Sequence, residues 1–333
     1  MYFARSRHDG QDGTETRVVV GTALDGPWID VRTAERLRLE RSGATASAAL
    51  RLAAALVPGS LSTAIAAGPV FLEAAHAALD DPTGDAALDG PTRLVNALDP
   101  SGYRDSMIFE GHFSFGYRLQ GLPVPEVMYE IPVAYLGNPD SFIGPGDEVP
   151  WPHYTRRMDY ELELGVVVGA GGSDLTPERA AGHIFGFTIL NDFSARDIQM
   201  QEMAGRLGPC KGKHFACAAG PVVATPDELD WRGGLRMQAR VNGETLCDAT
   251  SAEAVWSVEE LVAWASQGER LVPGWLLGSG TCNGGSTIEI DRELAPGDEI
   301  ELEIEGLGIL ANRLGTPARN GWMPQHRHPT TAD

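Results

Sequence analysis

Glu161 and Glu163 stand two residues apart in the run Asp-Tyr-Glu-Leu-Glu-Leu-Gly-Val-Val-Val-Gly that begins at Asp159. Side chains alternate faces along a strand, so both carboxylates point the same way. The residues that follow, Val166 to Val168, suit a buried strand. Two carboxylates on one buried face repel each other and are costly unless something positive lies between them. A divalent cation meets that need. Asp192 offers a third oxygen just past a second apolar run, Phe187 to Leu190. A carboxylate set suits a hard ion, Mg²⁺, Mn²⁺ or Ca²⁺, rather than zinc. The alternative puts both glutamates on the wet face of an edge strand, since antiparallel strands often alternate in this way. Against it stand the β-branched run, the Asn191-Asp192 pair, and Arg196, Asp197 and Gln199 close behind.

The bounds from the whole chain agree with a soluble enzyme. Its 333 residues allow about two domains. A net charge of −20 argues against nucleic acid or an anionic membrane as partner. The four cysteines, Cys210, Cys217, Cys247 and Cys282, show no zinc spacing and are expected to be reduced. The first ten residues lack the apolar core of a secretory signal. The Ala-rich stretch from Ala46 to Leu79 is broken by Arg51, Pro58, Gly59 and Pro69, so it is not a membrane span. A cytoplasmic location is the expectation. The tail, residues 323–333, with His326 and His328, reads as disordered.

The chain divides near residue 100. Thr16–Thr22 and Trp28–Val31 read as strands across an Asp25-Gly26 turn, and 33–39, 46–57 and 71–79 as helices. Together they predict a smaller N-terminal α/β domain over residues 1–100. Residues 101–322 carry short β-rich segments between Gly and Pro turns, among them 126–135, 221–225, 235–241 with 245–247, 275–277 and 299–305. Residues 178–183 and 257–267 read as helices, the second with Ser257 as N-cap. The fold class is therefore α+β, with a mostly β catalytic domain.

The order Asp-x-Glu-x-Glu from Asp159, Gly-Phe-x-x-x-Asn-Asp-x-Ser-Ala-Arg-Asp-x-Gln from Gly186, and Gly-Lys-x-Phe from Gly212 resembles the signature of the fumarylacetoacetate hydrolase family. The resemblance spans roughly residues 100–312. It implies a tightly coiled β-roll around a Mg²⁺ ion and a homodimer. It implies Asp105, Glu161, Glu163 and Asp192 as metal ligands, with Glu110 a competitor of Asp105. It implies His112 as general base, oriented by Glu289, whose alternative reading is a charge on a half-wet strand. Lys213, Arg196 and Gln199 would stabilise negative charge, although Arg196 also reads as part of an ordinary ion-pair network. Tyr135, Gly280 and Thr281 would contact substrate, with Tyr135 equally readable as a packing aromatic. The implied reaction is hydrolysis of a carbon–carbon bond in a 1,3-dicarbonyl acid, a small-molecule substrate. A decarboxylase, a hydratase or isomerase of 2-oxo acids, and a non-catalytic accessory protein remain as alternatives. Met107 replaces a tyrosine of the hydrolases proper, no aromatic stands near Met203, and Arg118 does not match the substrate-binding arginine. Fumarylacetoacetate itself is therefore not the expected substrate.

Overall fold

Two apolar runs, Leu162–Val168 and Ile184–Asn191, pair antiparallel in the middle of the largest sheet, and every residue in both is buried. The computed structural model describes residues 1–10, 13–82, 84–88, 92–325 and 327. Most of the tail beyond residue 325, including His326 and His328, lies outside the described residues.

In chain order, β1 (Tyr2–Gly10) and β2 (Gly13–Gly21) form a long hairpin, and β3 (Ile29–Asp30) pairs with β2. Helices α1 (Val31–Arg41), α2 (Ala46–Leu56), α3 (Leu61–Ile65) and α4 (Pro69–Asp80) follow. Then come β4 (Gly102–Ser106), α5 (Glu110–Leu119), α6 (Val127–Glu130), β5 (Ala134–Leu136), β6 (Phe142–Ile143), β7 (Glu148–Trp151), β8 (Met158–Asp159) and β9 (Leu162–Val168). Beyond them lie α7 (Pro177–Ala180), β10 (Ile184–Asn191), β11 (Ser194–Ala195), α8 (Arg196–Ala204) and β12 (Cys217–Ala224). The chain closes with β13 (Arg236–Val241), β14 (Glu244–Thr250), α9 (Val258–Ala265), β15 (Trp275–Gly278), β16 (Glu299–Ile304) and β17 (Gly308–Pro317). Among the described residues no helix is long and apolar enough to cross a membrane.

The main sheet runs β3-β2-β1-β12-β10-β9-β15-β4-β5, and a second sheet runs β14-β13-β16-β17-β7. The fold is mixed α and β and mostly β. Because β1 bonds to β12, the N-terminal strands continue the sheet that carries β9 and β10. One core lies on the helix side of this sheet, where Phe3, Val18, Val20, Phe71, Tyr103, Val167, Phe185, Leu190 and Leu276 meet. The other core takes Leu164, Val166, Phe187, Ile189 and Leu277 together with Met237, Ala239, Ile300 and Leu302 of the second sheet. Alternation assigns the site to one of these faces. Asp105 shares the parity of Tyr103, and Glu163 that of Val167, so both carboxylates lie on the helix-side face.

Three local expectations change. Val31 opens α1 rather than ending a strand, because Asp30 accepts the Thr33 N–H at 3.2 Å as N-cap. The expected β segment 126–135 holds α6 and only the start of β5; four residues of helix are too few to show a period. The Glu289 stretch is a 3₁₀ turn, Thr287–Ile290, not a strand. The 257–267 helix has its N-cap as expected, with a full capping box between Ser257 and Glu260.

Phe3 ties the N-terminal strands to α4 and β10, with ring centroids 5.4 Å from Phe71 and 5.2 Å from Phe185. Phe3→Ala should cost about 3–5 kcal/mol of stability, read by urea unfolding. A loss below about 1 kcal/mol would show that this cluster does not anchor β1.

Candidate metal centre and active site

Three strands deliver four carboxylates to one point. Asp105 comes from β4, Glu163 from β9, Glu161 from the residue just before β9, and Asp192 from the residue just after β10. Each offers an oxygen, all four oxygens lie within 4.8 Å of one another, and all four residues are buried. Strand β15 supplies no ligand but makes the space. A Cβ on Gly278 would lie 2.3 Å from Asp105 Oδ1 and 2.8 Å from Glu163 Oε2. Glu110 does not compete for the cluster: it is exposed on α5 and accepts the Tyr129 hydroxyl at 2.6 Å. The wet-edge alternative for Glu161 and Glu163 fails because β9 has neighbours on both sides and no exposed face.

The cluster is short of positive charge. Lys213, itself buried, sits 2.7 Å from Asp192 Oδ2 and also pairs with Glu161 Oε2. Arg196 Nη1 donates to Glu161 Oε1 at 2.7 Å and to Gln199 Oε1 at 3.0 Å, while its Nε donates to Asp159 at 2.8 Å. So two buried cations face five buried carboxyls, Asp159 included. Burial pushes Glu161 up, but Lys213, Arg196 and His112 outweigh it and hold this carboxyl below its usual range. For Asp105 the balance is opposite: burial, then the Asp192 carboxylate, pushes it well above the usual range. Burial and Asp105 do the same to Glu163. Glu163 Oε1 is buried with no hydrogen-bond partner. An orphaned carboxylate oxygen in an all-oxygen set is what a hard divalent cation satisfies, so the donor set fits Mg²⁺, Mn²⁺ or Ca²⁺.

His112, on the first turn of α5, faces this cluster. Its Nδ1 lies 3.0 Å from Glu289 Oε2, and its Nε2 lies 3.7 Å from Glu161 Oε1. Glu289 is fixed in turn by the Gly284 N–H at 3.0 Å and the Ser286 hydroxyl at 2.9 Å. Burial pushes Glu289 up, but His112, the Gly284 N–H and the Ser286 hydroxyl together outweigh that and hold it below the usual range. The 3₁₀ turn that carries Glu289 hangs on Asp159, which accepts Thr287 N at 2.8 Å and Thr287 Oγ1 at 2.6 Å. Asp159 therefore ties the histidine's partner and Arg196 to one carboxyl. Sequence reasoning quoted it within a motif but assigned it no role; its position two before Glu161 was the available signal.

A cavity of about 310 Å³ opens over these groups. Asp105, His112, Tyr135, Glu161, Glu163, Gln199, Lys213, Gly280 and Thr281 of the sequence-derived set line it. Tyr135 donates its hydroxyl to Asp192 Oδ2 at 2.6 Å, so it is tied to the cluster. Gly280 sits at φ 79°, and a Cβ there would lie 2.2 Å from Ser106 O. Its glycine serves a close backbone approach, and its N–H donates to Glu163 Oε2 at 3.2 Å. Arg196 does not line the cavity; it stands behind Glu161. Arg118 does not line it either. Met107, Tyr117, Met128, Val133, Met203 and Pro209 make the remaining wall largely apolar.

Comparison with known proteins follows the same site. A model of the C-terminal part of fumarylacetoacetate (FAA) hydrolase matches residues 113–315. The human mitochondrial oxaloacetate tautomerase FAHD2A is 34% identical over 229 residues, covering 67% of this chain and 71% of that protein. The oxaloacetate tautomerase YisK of Bacillus subtilis is 33% identical over 188 residues, covering 56% of this chain and 62% of that protein. Among solved structures, a fumarylacetoacetate hydrolase from Exiguobacterium antarcticum superposes with a TM-score of 0.70 at 26% identity, covering 95% of this chain and 99% of that one.

If the carboxylates serve a cation, metal and mutation act with opposite signs. Mg²⁺ or Mn²⁺ at about 100 times its Kd should add about 2.7 kcal/mol of stability, read as a rise in melting temperature. Asp105→Asn should lose that rise, yet in chelator be at least as stable as the parent, because one repelling charge is gone. A variant destabilised equally in both conditions would overturn the cation assignment.

Proposed function

This chain belongs to the fumarylacetoacetate hydrolase family, and from that premise we propose that it moves a proton at C3 of a 2-oxo acid, interconverting the keto and enol forms of an oxaloacetate-type substrate. The coarser statement, a metal-dependent enzyme of the 2-oxo acid type, rests on the family and on the buried acidic cluster. It sets the accessory reading aside. The finer statement rests on one observation: His112, held by Glu289, lines the same cavity as Asp105, Glu161 and Glu163 of the carboxylate cluster. The relatives named as oxaloacetate tautomerases support the same reading.

Asp105, Glu161, Glu163 and Asp192 would hold a divalent ion, which supplies Lewis acidity toward the carboxylate and carbonyl oxygens of a 2-oxo acid. The remaining work is done by side chains. Glu289 at Nδ1 holds the imidazole proton on that nitrogen and leaves the Nε2 lone pair toward the cavity. Nε2 takes a proton from C3; the C–H electron pair becomes the C2–C3 double bond, and charge moves to the C2 oxygen. The imidazolium, stabilised by Glu289, then returns the proton to the oxygen. The reverse sequence restores the keto form. Lys213 lines the cavity and balances the negative charge as it develops. Gln199 gives its carbonyl oxygen to Arg196, so its amide N–H groups are left to donate to substrate. Arg196 acts through Glu161 and Gln199, which it positions.

Carbon–carbon hydrolysis is the second reading, and the same dyad favours it, since His112 could take its proton from water instead of from carbon. The apolar wall of Met107, Met128, Val133 and Met203 ranks it second, because that wall offers a water no hydrogen-bond partner. Decarboxylation of oxaloacetate passes through the same enolate.

The assay is decay of the enol absorbance of oxaloacetate with metal-loaded protein, with pyruvate followed in parallel. Enol decay that needs metal, forms no pyruvate and falls about 10²–10⁴-fold in His112→Asn is the expected result. Pyruvate formed at the rate of enol loss would move the assignment to decarboxylation. Splitting of acylpyruvates into pyruvate and a free acid, with enol decay unaccelerated, would move it to hydrolysis.

A further inference from the structure

One charged group in the cavity is not used by this chemistry. Of the three basic side chains that line it, Lys213 is engaged by Glu161 and Asp192, and His112 by Glu289. The third is Arg206. Among the described residues its guanidinium has no hydrogen-bond or ion-pair partner. Its backbone lies at φ 58°, in the left-handed region that non-glycine residues seldom adopt.

The loop that holds Arg206 there is fastened at several points. The Arg206 N–H donates to Met203 O at 3.0 Å. The Glu202 carboxylate, near the end of α8, accepts the backbone N–H groups of Cys210 at 2.8 Å, Lys211 at 2.8 Å and Gly212 at 3.0 Å. Tyr154 donates its hydroxyl to Lys211 O at 2.9 Å. The segment between α8 and Lys213 is therefore a bracket, with Arg206 on its cavity side. Around Arg206 the lining is Met203, Gly208 and Pro209, with Met107 and Met128 also in the wall. In a chain of net charge −20, an unpaired guanidinium on an otherwise apolar wall is placed to receive an anion.

We propose that Arg206 is a specificity residue that receives the second anionic group of a 2-oxo acid whose first carboxylate meets the divalent ion that the carboxylate cluster would hold. This rests on the oxaloacetate-type reading above and adds the residue that recognises the second carboxylate. The guanidinium fork matches a carboxylate with two parallel N–H donors, which a monocarboxylic acid leaves unused. Because Arg206 is exposed, solvent weakens the pair, and the gain is about tenfold in affinity.

The test is calorimetric titration of the full chain loaded with Mg²⁺, with oxalate as probe of the metal-binding head alone. 2-Oxoglutarate and its one-ended counterpart 2-oxobutyrate are then measured by displacement of oxalate. Arg206→Gln should lower the ratio of 2-oxoglutarate to 2-oxobutyrate affinity about tenfold, and Arg206→Lys should recover part of it. Arg118→Gln removes the same charge away from the cavity and should leave the ratio alone. A parent protein that does not prefer 2-oxoglutarate overturns the assignment of Arg206. So does an Arg206→Gln protein that keeps the parent ratio, or a fall of the same size in Arg118→Gln. Failure of oxalate to bind the metal-loaded parent overturns the 2-oxo acid reading itself, and the role of Arg206 with it.

Discussion

Repulsion among buried carboxyls governs this molecule. Asp105, Glu161, Glu163 and Asp192 converge where water cannot screen them, and like charges in a low-dielectric interior are among the most costly arrangements a fold can hold. The surrounding sequence is organised to bear that cost. Lys213 and Arg196 neutralise one side, through Glu161 and Asp192. Tyr135 and Cys217 donate to Asp192 at 2.6 and 3.3 Å. On the other side neither Asp105 nor Glu163 has an ion-pair partner among the described residues; burial and then Asp192 push Asp105 up, and burial and then Asp105 push Glu163 up. That asymmetry gives the cluster its chemistry. The half already neutralised is structural, and the half without a paired cation is where a divalent charge would relieve the most repulsion.

Placing this cluster on a rigid sheet makes it precise. β4, β9, β10 and β15 are hydrogen-bonded neighbours, with Gly278 opposite Asp105 and also opposite Gly165. Two glycines at that crossing leave room for carboxylates in the layer where side chains would otherwise pack. On the same face, farther along, Val167, Leu190 and Leu276 build the core under α1–α4. One sheet face thus changes from hydrophobic core to charged site within one strand length. The price of a misplaced methyl is high here, since the added atom would collide with a carboxylate and not with a compliant side chain.

Much of this was legible in the chain because it depends on period. Glu161 and Glu163 share a face by alternation alone, and the apolar runs around them announce central strands. The choice between Asp105 and Glu110 was not legible. Both precede His112, and only the pairing of β4 with β15 sets Asp105 inward while α5 turns Glu110 outward. Strand β1 was passed over because Arg5, Ser6, Arg7 and His8 are polar; they are held by partners across the hairpin and from Asn96, all distant in sequence. The alternative reading of Glu289, a charge on a strand alternating with Asp291 and Glu293, gives way because Asp159 pulls its segment into a 3₁₀ turn from 128 residues away. The bracket around Arg206 was invisible for the same reason: Glu202 fastens backbone groups, which carry no residue code.

The reactions weighed for this chain share a single step, the formation of an enolate beside a carbonyl. What separates them is which atom next receives the proton and whether water can enter. In the proposed chemistry the first question would fall to the His112 Nε2; the ring is held by Glu289, with Ser286 and Gly284 behind it. The second falls to the cavity wall. Methionines at 107, 128 and 203 fill space with polarisable, adaptable side chains but offer water no strong hydrogen bond. A tyrosine at position 107, as the hydrolases proper have, would add a hydroxyl able to hold water or a substrate oxygen at the same place. Exchange of that one polar atom for a thioether weakens the hold on a nucleophilic water and leaves the acid–base pair intact. For the proposed keto–enol transfer, the departure from hydrolysis would lie in the wall, not in the charged centre.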